Sequence, residues 1–126
     1  MTKPGFNAPR GAKCAVTGGS GFVGQRLVEM LVERGASKVI SFDVLPKPKG
    51  ASGSNKIEYV QGDLTDPMSV EACFSGCDIV YHIAALVGPY HPKDLYKKVN
   101  HDGTVNVVEA CKKLGIKRIV MSSSPS

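Results

Sequence analysis

Apolar residues fall along this chain in short blocks, each closed by glycine, proline or charge. Lys13-Cys14-Ala15-Val16-Thr17 has the length of a strand and stops at a glycine cluster. Beyond it, Phe22, Val23, Leu27, Met30 and Leu31 recur at helical spacing, and Gly35 is placed to end that helix. Val39-Ile40-Ser41-Phe42-Asp43 reads as a second strand and Ile57-Glu58-Tyr59-Val60-Gln61 as a third. Between them, residues 44–56 form a Pro-, Gly-, Ser- and Lys-rich surface loop, since neither flank alone is large enough to fold. Thr65-Asp66-Pro67 opens a short helix through Val70, Ala72 and Phe74, with proline at a favoured first position. Asp78 to Ile83 is a fourth strand and Lys117 to Ser122 a fifth. The spacing predicts a long helix from about Pro92 to Leu114, with Leu95, Val99, Val105, Val108, Cys111 and Leu114 inward and Gly115 as its stop.

Strands that are apolar on both faces and alternate with helices make a parallel sheet covered on both sides. Right-handed crossovers then leave few topologies. The expectation is a three-layer, Rossmann-like doubly wound α/β sheet of order 3-2-1-4-5, ending here after strand 5, with its ligand crevice at the carboxyl ends beside strand 1. The 126 residues suffice for one modest domain and not for two. Residues 13–126 read as that domain, and residues 1–12, with Pro4, Gly5, Asn7, Pro9 and Gly11, as a mobile tail.

Composition narrows the partners. No apolar run reaches membrane-spanning length, and the start lacks the apolar stretch of a secretory signal. A cytoplasmic place, or the cytoplasmic face of a membrane, is expected rather than secretion. The net charge of +5 is scattered from Lys3 to Arg118 instead of gathered on one element, which argues for a solvated surface and against a nucleic-acid partner. Cys14 and Cys111 sit among apolar neighbours, as buried free thiols do. Cys73 and Cys77 have neither the spacing of a redox pair nor a visible second half of a zinc site, so no metal is expected.

The chemistry concentrates in Thr17-Gly18-Gly19-Ser20-Gly21-Phe22-Val23-Gly24. Gly19, Gly21 and Gly24 fit G-x-G-x-x-G after a strand and at the opening of a helix, and Asp43 ends the next strand nineteen residues after Gly24. Residues without a Cβ let the backbone approach a pyrophosphate, and the free N–H groups at the helix start, on Phe22, Val23 and Gly24, face the anion. Asp43 would accept hydrogen bonds from the adenosine ribose. A 2′-phosphate would meet its like charge, and Val44 rather than Arg follows it, so NAD is expected over NADP. Lys47 and Lys49 are close enough in sequence to bear on that choice. The alternative is a glycine-rich turn with no ligand.

The spacing T-G-x-x-G-x-x-G, with Gly18, Gly21 and Gly24, resembles the extended short-chain dehydrogenase/reductase superfamily, and the likeness runs from Cys14 to Ser126. The resemblance implies further roles. Gly62-Asp63-Leu64 is similar to the family's adenine-contacting pair at Asp63 and Leu64; read alone, Asp63 equally caps a turn. After His82-Ile83, the residues Ala84, Ala85 and Leu86 would let the dinucleotide lie against the backbone; ordinary core packing is the alternative. His82 itself reads as a structural histidine at a strand end, because no triad partner is visible, and His91 and His101 carry less signal. Asn100 would stand near the cofactor, and Gly103 would permit a close helix approach that offsets the roughly 1 kcal/mol an interior glycine costs against alanine. The resemblance puts a catalytic serine at Ser124, hydrogen-bonded to the substrate oxygen, with Ser122 and Ser123 on the nicotinamide side; the same residues alone would read as a polar loop start.

Ser123-Ser124-Pro125-Ser126 and His82-Ile83-Ala84-Ala85 resemble the 3β-hydroxysteroid dehydrogenase group, which includes the sterol-4α-carboxylate 3-dehydrogenases. That implies an NAD-dependent oxidoreductase that oxidises a secondary alcohol, the 3β-hydroxyl of a steroid or sterol, by hydride transfer. NAD-dependent epimerases and dehydratases of nucleotide sugars share the motifs and form the second reading; a non-catalytic dinucleotide-binding module is the third. The superfamily's Tyr-x-x-x-Lys pair is missing: four residues after Tyr59, Tyr81, Tyr90 and Tyr96 stand Asp63, Ala85, Asp94 and Asn100. The expectation is therefore the cofactor-binding N-terminal part of a longer enzyme, or a truncated product, inactive alone. Its fifth strand would be a bare edge, which makes the chain prone to association and leaves a homodimer open.

Overall fold

A computed structural model describes residues 10–51, 53–83 and 93–121, of which residues 93–100 are described by their backbone alone. The elements are β1 (Lys13–Thr17), α1 (Phe22–Glu33), β2 (Lys38–Asp43), β3 (Ile57–Gln61), α2 (Pro67–Phe74), β4 (Ile79–His82), α3 (Lys93–Leu114) and β5 (Arg118–Met121). The five strands form one parallel sheet of order β3-β2-β1-β4-β5, the order that alternation and crossover handedness predict.

Alternation along each strand feeds two cores. Cys14 and Val16 of β1 join Val39, Ile79 and Tyr81 beneath Val28 and Leu31 of α1. Ala15 points the other way, with Ile40, Phe42 and Val80, against Val70 and Phe74 of α2 and Val107, Ala110 and Cys111 of α3. The chain leaves the central β1 in one direction through β2 and β3, then returns to β4 and runs outward in the other. Constant handedness therefore sends α1 to one face and α2 and α3 to the opposite one.

Local signals set the helix ends. Asp66 caps α2 by accepting the Met68 N–H at 3.2 Å, with Pro67 in the first turn. Beyond α1 and α3, Gly35 and Gly115 take left-handed φ values of 98° and 74°. The Ala36 and Ile116 N–H groups thereby fold back to the carbonyls of Leu31 and Cys111. Lys113 of α3 pairs with Glu71 of α2 at 2.9 Å.

Two helix faces differ from the sequence expectation. In α3, Cys111 is buried, but Val105 and Leu114 are 43% and 37% exposed and Val108 is half-buried. The buried stripe is instead Gly103, Val107, Ala110 and Cys111. Small residues win because α3 lies close on the loop after β3: a Cβ on Gly103 would be 3.1 Å from the Leu64 Cβ. The side chains of Leu95 and Val99 lie outside the described residues.

In α1, Phe22 is 96% exposed, and Val23 is also exposed. They line an open apolar cleft of about 520 Å³ with Leu27, Met30, Tyr81, Ile83, Val120 and Met121, and Arg26 at its side. The cleft exists because α1 packs over β1, β2 and part of β4, and among the described residues no helix covers β5 on that face. β5 is an edge strand with Arg118, Val120 and Met121 exposed. Among the described residues no helix is long and apolar enough to cross a membrane.

The two phenylalanines test this division. Phe74→Ala, at a fully buried site, is expected to lower the unfolding free energy by about 3–5 kcal/mol in urea denaturation. Phe22→Ala should change it by no more than about 0.5 kcal/mol.

Candidate dinucleotide-binding site

Four glycines build the turn between β1 and α1, each for its own reason. Gly18 takes φ +74°, which turns the chain off the end of β1. The N–H groups of Gly18 and Gly19 then donate to the Phe42 carbonyl at 2.8 and 3.3 Å, pinning the turn to β2. A Cβ on Gly19 would overlap Ser41 Oγ and lie 2.9 Å from Ser41 Cβ. A Cβ on Gly24 would overlap the Gly18 carbonyl oxygen and lie 2.7 Å from its carbon. Gly21 is the N-cap of α1 and offers no side-chain cap. The two ways of reading the motif in the sequence are thus one turn, and Gly19, which belongs to it sterically, is an addition to the predicted cofactor residues Gly18, Gly21, Phe22, Val23 and Gly24.

The consequence is electrostatic. The first helical N–H with a partner in this turn is that of Gln25, which donates to the Gly21 carbonyl at 2.8 Å. The amides of Phe22, Val23 and Gly24 come before it, where no intrahelical acceptor exists. No acidic residue stands in the first turn to compete for them. The positive end of the α1 dipole therefore opens on backbone donors held by a turn too tight for a Cβ at Gly19 or Gly24, which suits a phosphate or diphosphate.

Asp43 meets this turn from β2. Its Oδ2 accepts the Ser20 N–H and its Oδ1 the Leu45 N–H, both at 3.0 Å. A carboxylate oxygen has two lone pairs, so each still has room for a hydroxyl donor. The loop after β2 is tied down around it: Ser20 Oγ donates to the Pro46 carbonyl at 3.2 Å, and Gln61 Nε2 to the Val44 carbonyl at 3.0 Å. Lys47 extends its ammonium over the Tyr59 ring, 4.9 Å from the centroid.

The remaining predicted residues divide. Asp63 is exposed and caps its own turn, with Oδ1 accepting the Thr65 N–H at 2.9 Å and the Thr65 hydroxyl at 2.8 Å. Leu64 packs under Gly103, and its carbonyl accepts Asn106 Nδ2 at 2.7 Å. Asn106 carried no signal in the sequence reading; only its position one turn beyond Gly103 could have suggested it. Asn100 lies in α3. Ala84, Ala85, Leu86, Ser122, Ser123 and Ser124 lie outside the described residues, as does His91.

His82 is buried at the end of β4, between Thr17 and Thr104, and burial pushes its pKa down. The cysteine thiols are buried and free. Burial raises Cys14 and Cys73 to about 12 and Cys77 to about 11, so they stay protonated and inert near neutrality. Among the described residues no three His, Cys, Asp or Glu side chains gather as metal ligands would.

Comparison with known proteins agrees with this fold. The sequence pattern of the 3-beta hydroxysteroid dehydrogenase/isomerase family matches residues 15–126. The 3beta-hydroxysteroid-dehydrogenase/decarboxylase isoform 2 of Arabidopsis thaliana is 37% identical over 124 residues, covering 90% of this chain and 22% of that protein. An epimerase from Methanothermobacter thermautotrophicus superposes with a TM-score of 0.81 at 33% identity, over 94% of this chain and 37% of that one. A mutant uronate dehydrogenase from Agrobacterium tumefaciens, complexed with NAD, superposes with a TM-score of 0.76 at 30% identity, over 90% of this chain and 41% of that one. The chain thus spans less than half of each of these proteins.

The depressed pKa of His82 sets the sign of a pH effect. The unfolded chain takes up a proton near the ordinary value of 6.5, before the folded chain does. The stability contributed by the neutral ring is therefore complete above about pH 6.5 and falls as the pH drops below it. Melting temperature measured between about pH 5 and 8 should show this decline, and His82→Gln, which takes no proton, should flatten it.

Proposed function

The chain belongs to the 3-beta hydroxysteroid dehydrogenase/isomerase family, and on that premise we propose that it is the NAD-binding part of an oxidoreductase of the extended short-chain type. The observation that carries the reading is the union of two features: a turn packed so closely at Gly19 and Gly24 that no Cβ fits, which sets the α1 amides at the sheet edge, and Asp43 bonded to the same turn through Ser20. The backbone amides of Phe22, Val23 and Gly24 would hold the diphosphate, and Asp43 the adenosine ribose hydroxyls. Asp63 and Leu64 would stand at the adenine. Ala84, Ala85 and Leu86 would let the dinucleotide lie against the backbone, Asn100 would stand near the cofactor, and Ser122 and Ser123 would line the nicotinamide side.

Bound there, NAD supplies the hydride acceptor, while the chain's own residues bind and orient. Ser124 would hydrogen-bond the substrate oxygen. The proposed reaction is oxidation of a secondary alcohol, with the 3β-hydroxyl of a steroid or sterol as substrate; the name of the Arabidopsis relative supports that class. A nucleotide-sugar epimerase or dehydratase is the second reading, favoured by the likeness to the methanogen epimerase. The general acid/base of such a reaction is not among these residues, since no tyrosine of the sequence is followed at the fourth position by lysine. Among the described residues β5 is the sheet's edge strand beside the apolar cleft, and both support self-association as a homodimer. The free thiols favour a reducing place, in the cytoplasm or at the cytoplasmic face of a membrane.

Asp43 also bears on the choice of cofactor. A 2′-phosphate would face its carboxylate, and the ammonium of Lys47, the nearest basic residue downstream in sequence, lies over the Tyr59 ring. Calorimetric titration should find NAD bound and NADP weaker. Asp43→Ala should weaken NAD about tenfold or more, by loss of charged hydrogen bonds, and narrow the gap to NADP. Equal affinity of the unaltered chain for both cofactors would remove the assignment to Asp43.

Turnover is a separate test. The chain alone, given NAD and a 3β-hydroxysteroid, should form no NADH above the uncatalysed rate at 340 nm. Measurable hydride transfer would contradict the proposed division of labour.

A further inference from the structure

We propose that His82 is a positioning residue of the dinucleotide site, bridging Thr17 and Thr104 so that three separate elements present their cofactor-facing segments at fixed spacing. Its Nδ1 lies 2.8 Å from Thr17 Oγ1 and its Nε2 lies 3.1 Å from Thr104 Oγ1. Thr17 Oγ1 also accepts the Ile83 N–H at 3.1 Å. Either neutral tautomer is served, because each hydroxyl can donate or accept.

The placement of the partners argues for more than core filling. Thr17 and His82 are neighbours across the β1–β4 ladder, at the carboxyl ends of both strands, where a doubly wound sheet takes its ligand. Thr17 immediately precedes Gly18, so its hydroxyl anchors the base of the glycine turn. Ile83 immediately precedes residues 84–86 in sequence, and its amide is held by Thr17. Thr104 stands one helical turn beyond Asn100 on α3. Each partner therefore adjoins a segment assigned to the dinucleotide, and the inference rests on that assignment. An apolar residue at position 82 would fill the same volume without desolvation, but it would leave Thr17 and Thr104 unconnected. A chain of hydrogen bonds has directional geometry, whereas apolar packing tolerates sliding of α3 along the sheet.

The test removes the outermost link, which touches no proposed ligand contact. Thr104→Val keeps the side-chain shape and deletes the hydroxyl. In the full chain it should weaken NAD about threefold to tenfold by calorimetry, with little change in melting temperature. It should also speed hydrogen exchange of the Ile83 amide, which lies just beyond β4, away from α3. Thr104→Ser, which restores the hydroxyl, should recover both. If Thr104→Val fails to fold, Thr104→Ala is judged by the same two measurements. NAD affinity within about twofold of the unaltered chain, with Ile83 exchange unchanged, would overturn the inference; so would a serine variant as weak as valine. An unaltered chain that takes up no NAD overturns the dinucleotide reading and this inference together. An unaltered chain that binds NAD while the variants are indifferent overturns the inference alone.

Discussion

The first turn of α1 lies so close to the backbone of residues 18 and 19 that a Cβ on Gly24 would overlap the Gly18 carbonyl oxygen. That contact fixes the helix against the end of β1, and the rest of the crevice follows from it. With the helix held there, its unpaired amides open at the carboxyl edge of the sheet rather than over a loop. On the far side of the turn, Gly19 touches Ser41 and the Phe42 carbonyl holds two amides, so β2 cannot shift without the turn. Asp43, two residues beyond Ser41, is thereby carried to the same edge. A steric requirement at one position places both the anion cradle and the acid.

The charges around the turn suit the two-part ligand proposed above. The α1 N-terminus is a fixed positive end, free of acidic side chains in its first turn. Asp43 adds a negative charge beside it through the Ser20 amide rather than through the helix amides themselves. An anion and a pair of sugar hydroxyls can therefore be taken up side by side. Behind them the interior is kept neutral. Burial raises the thiols of Cys14, Cys73 and Cys77 and lowers the pKa of His82, so none of the four carries a charge near neutrality. The field at the crevice is then set by groups at its surface.

The sheet was legible in the sequence because each strand is short, apolar on both faces and bounded by glycine, proline or polar residues; the order of strands then follows from handedness. Helix faces were less legible. In α3 Cys111 is buried and Gly103 lies close on Leu64 as expected, but Val105 and Leu114 are exposed while Val107 and Ala110 are buried, because helix approach is governed by what is small as well as by what is apolar. In α1, Phe22 and Val23 fit the helical pattern but face an uncovered part of the sheet. For the site, the glycines and Asp43 could be read because their spacing is dictated by backbone contacts. The bridge from Thr17 through His82 to Thr104 could not, because it joins residues far apart in sequence with no local signature.

Thr17, Ser41 and His82 are the buried polar residues among those described, and all three stand at or near the carboxyl ends of neighbouring strands. Two of them form one hydrogen-bonded bridge. Ser41 is different: its hydroxyl finds no partner among the described residues, and a buried orphan of that kind costs about 1–3 kcal/mol. A small side chain is nevertheless required there, because Gly19 lies directly on it, and anything as branched as valine would lift the turn off β2. Alanine would meet the size limit without the penalty. The serine hydroxyl is thus a feature that packing alone does not favour, directly beneath the turn that carries the anion cradle. Among the described residues, the buried polar side chains stand at the edge where the ligand is expected, so the stability Ser41 forgoes falls where precise backbone placement matters most.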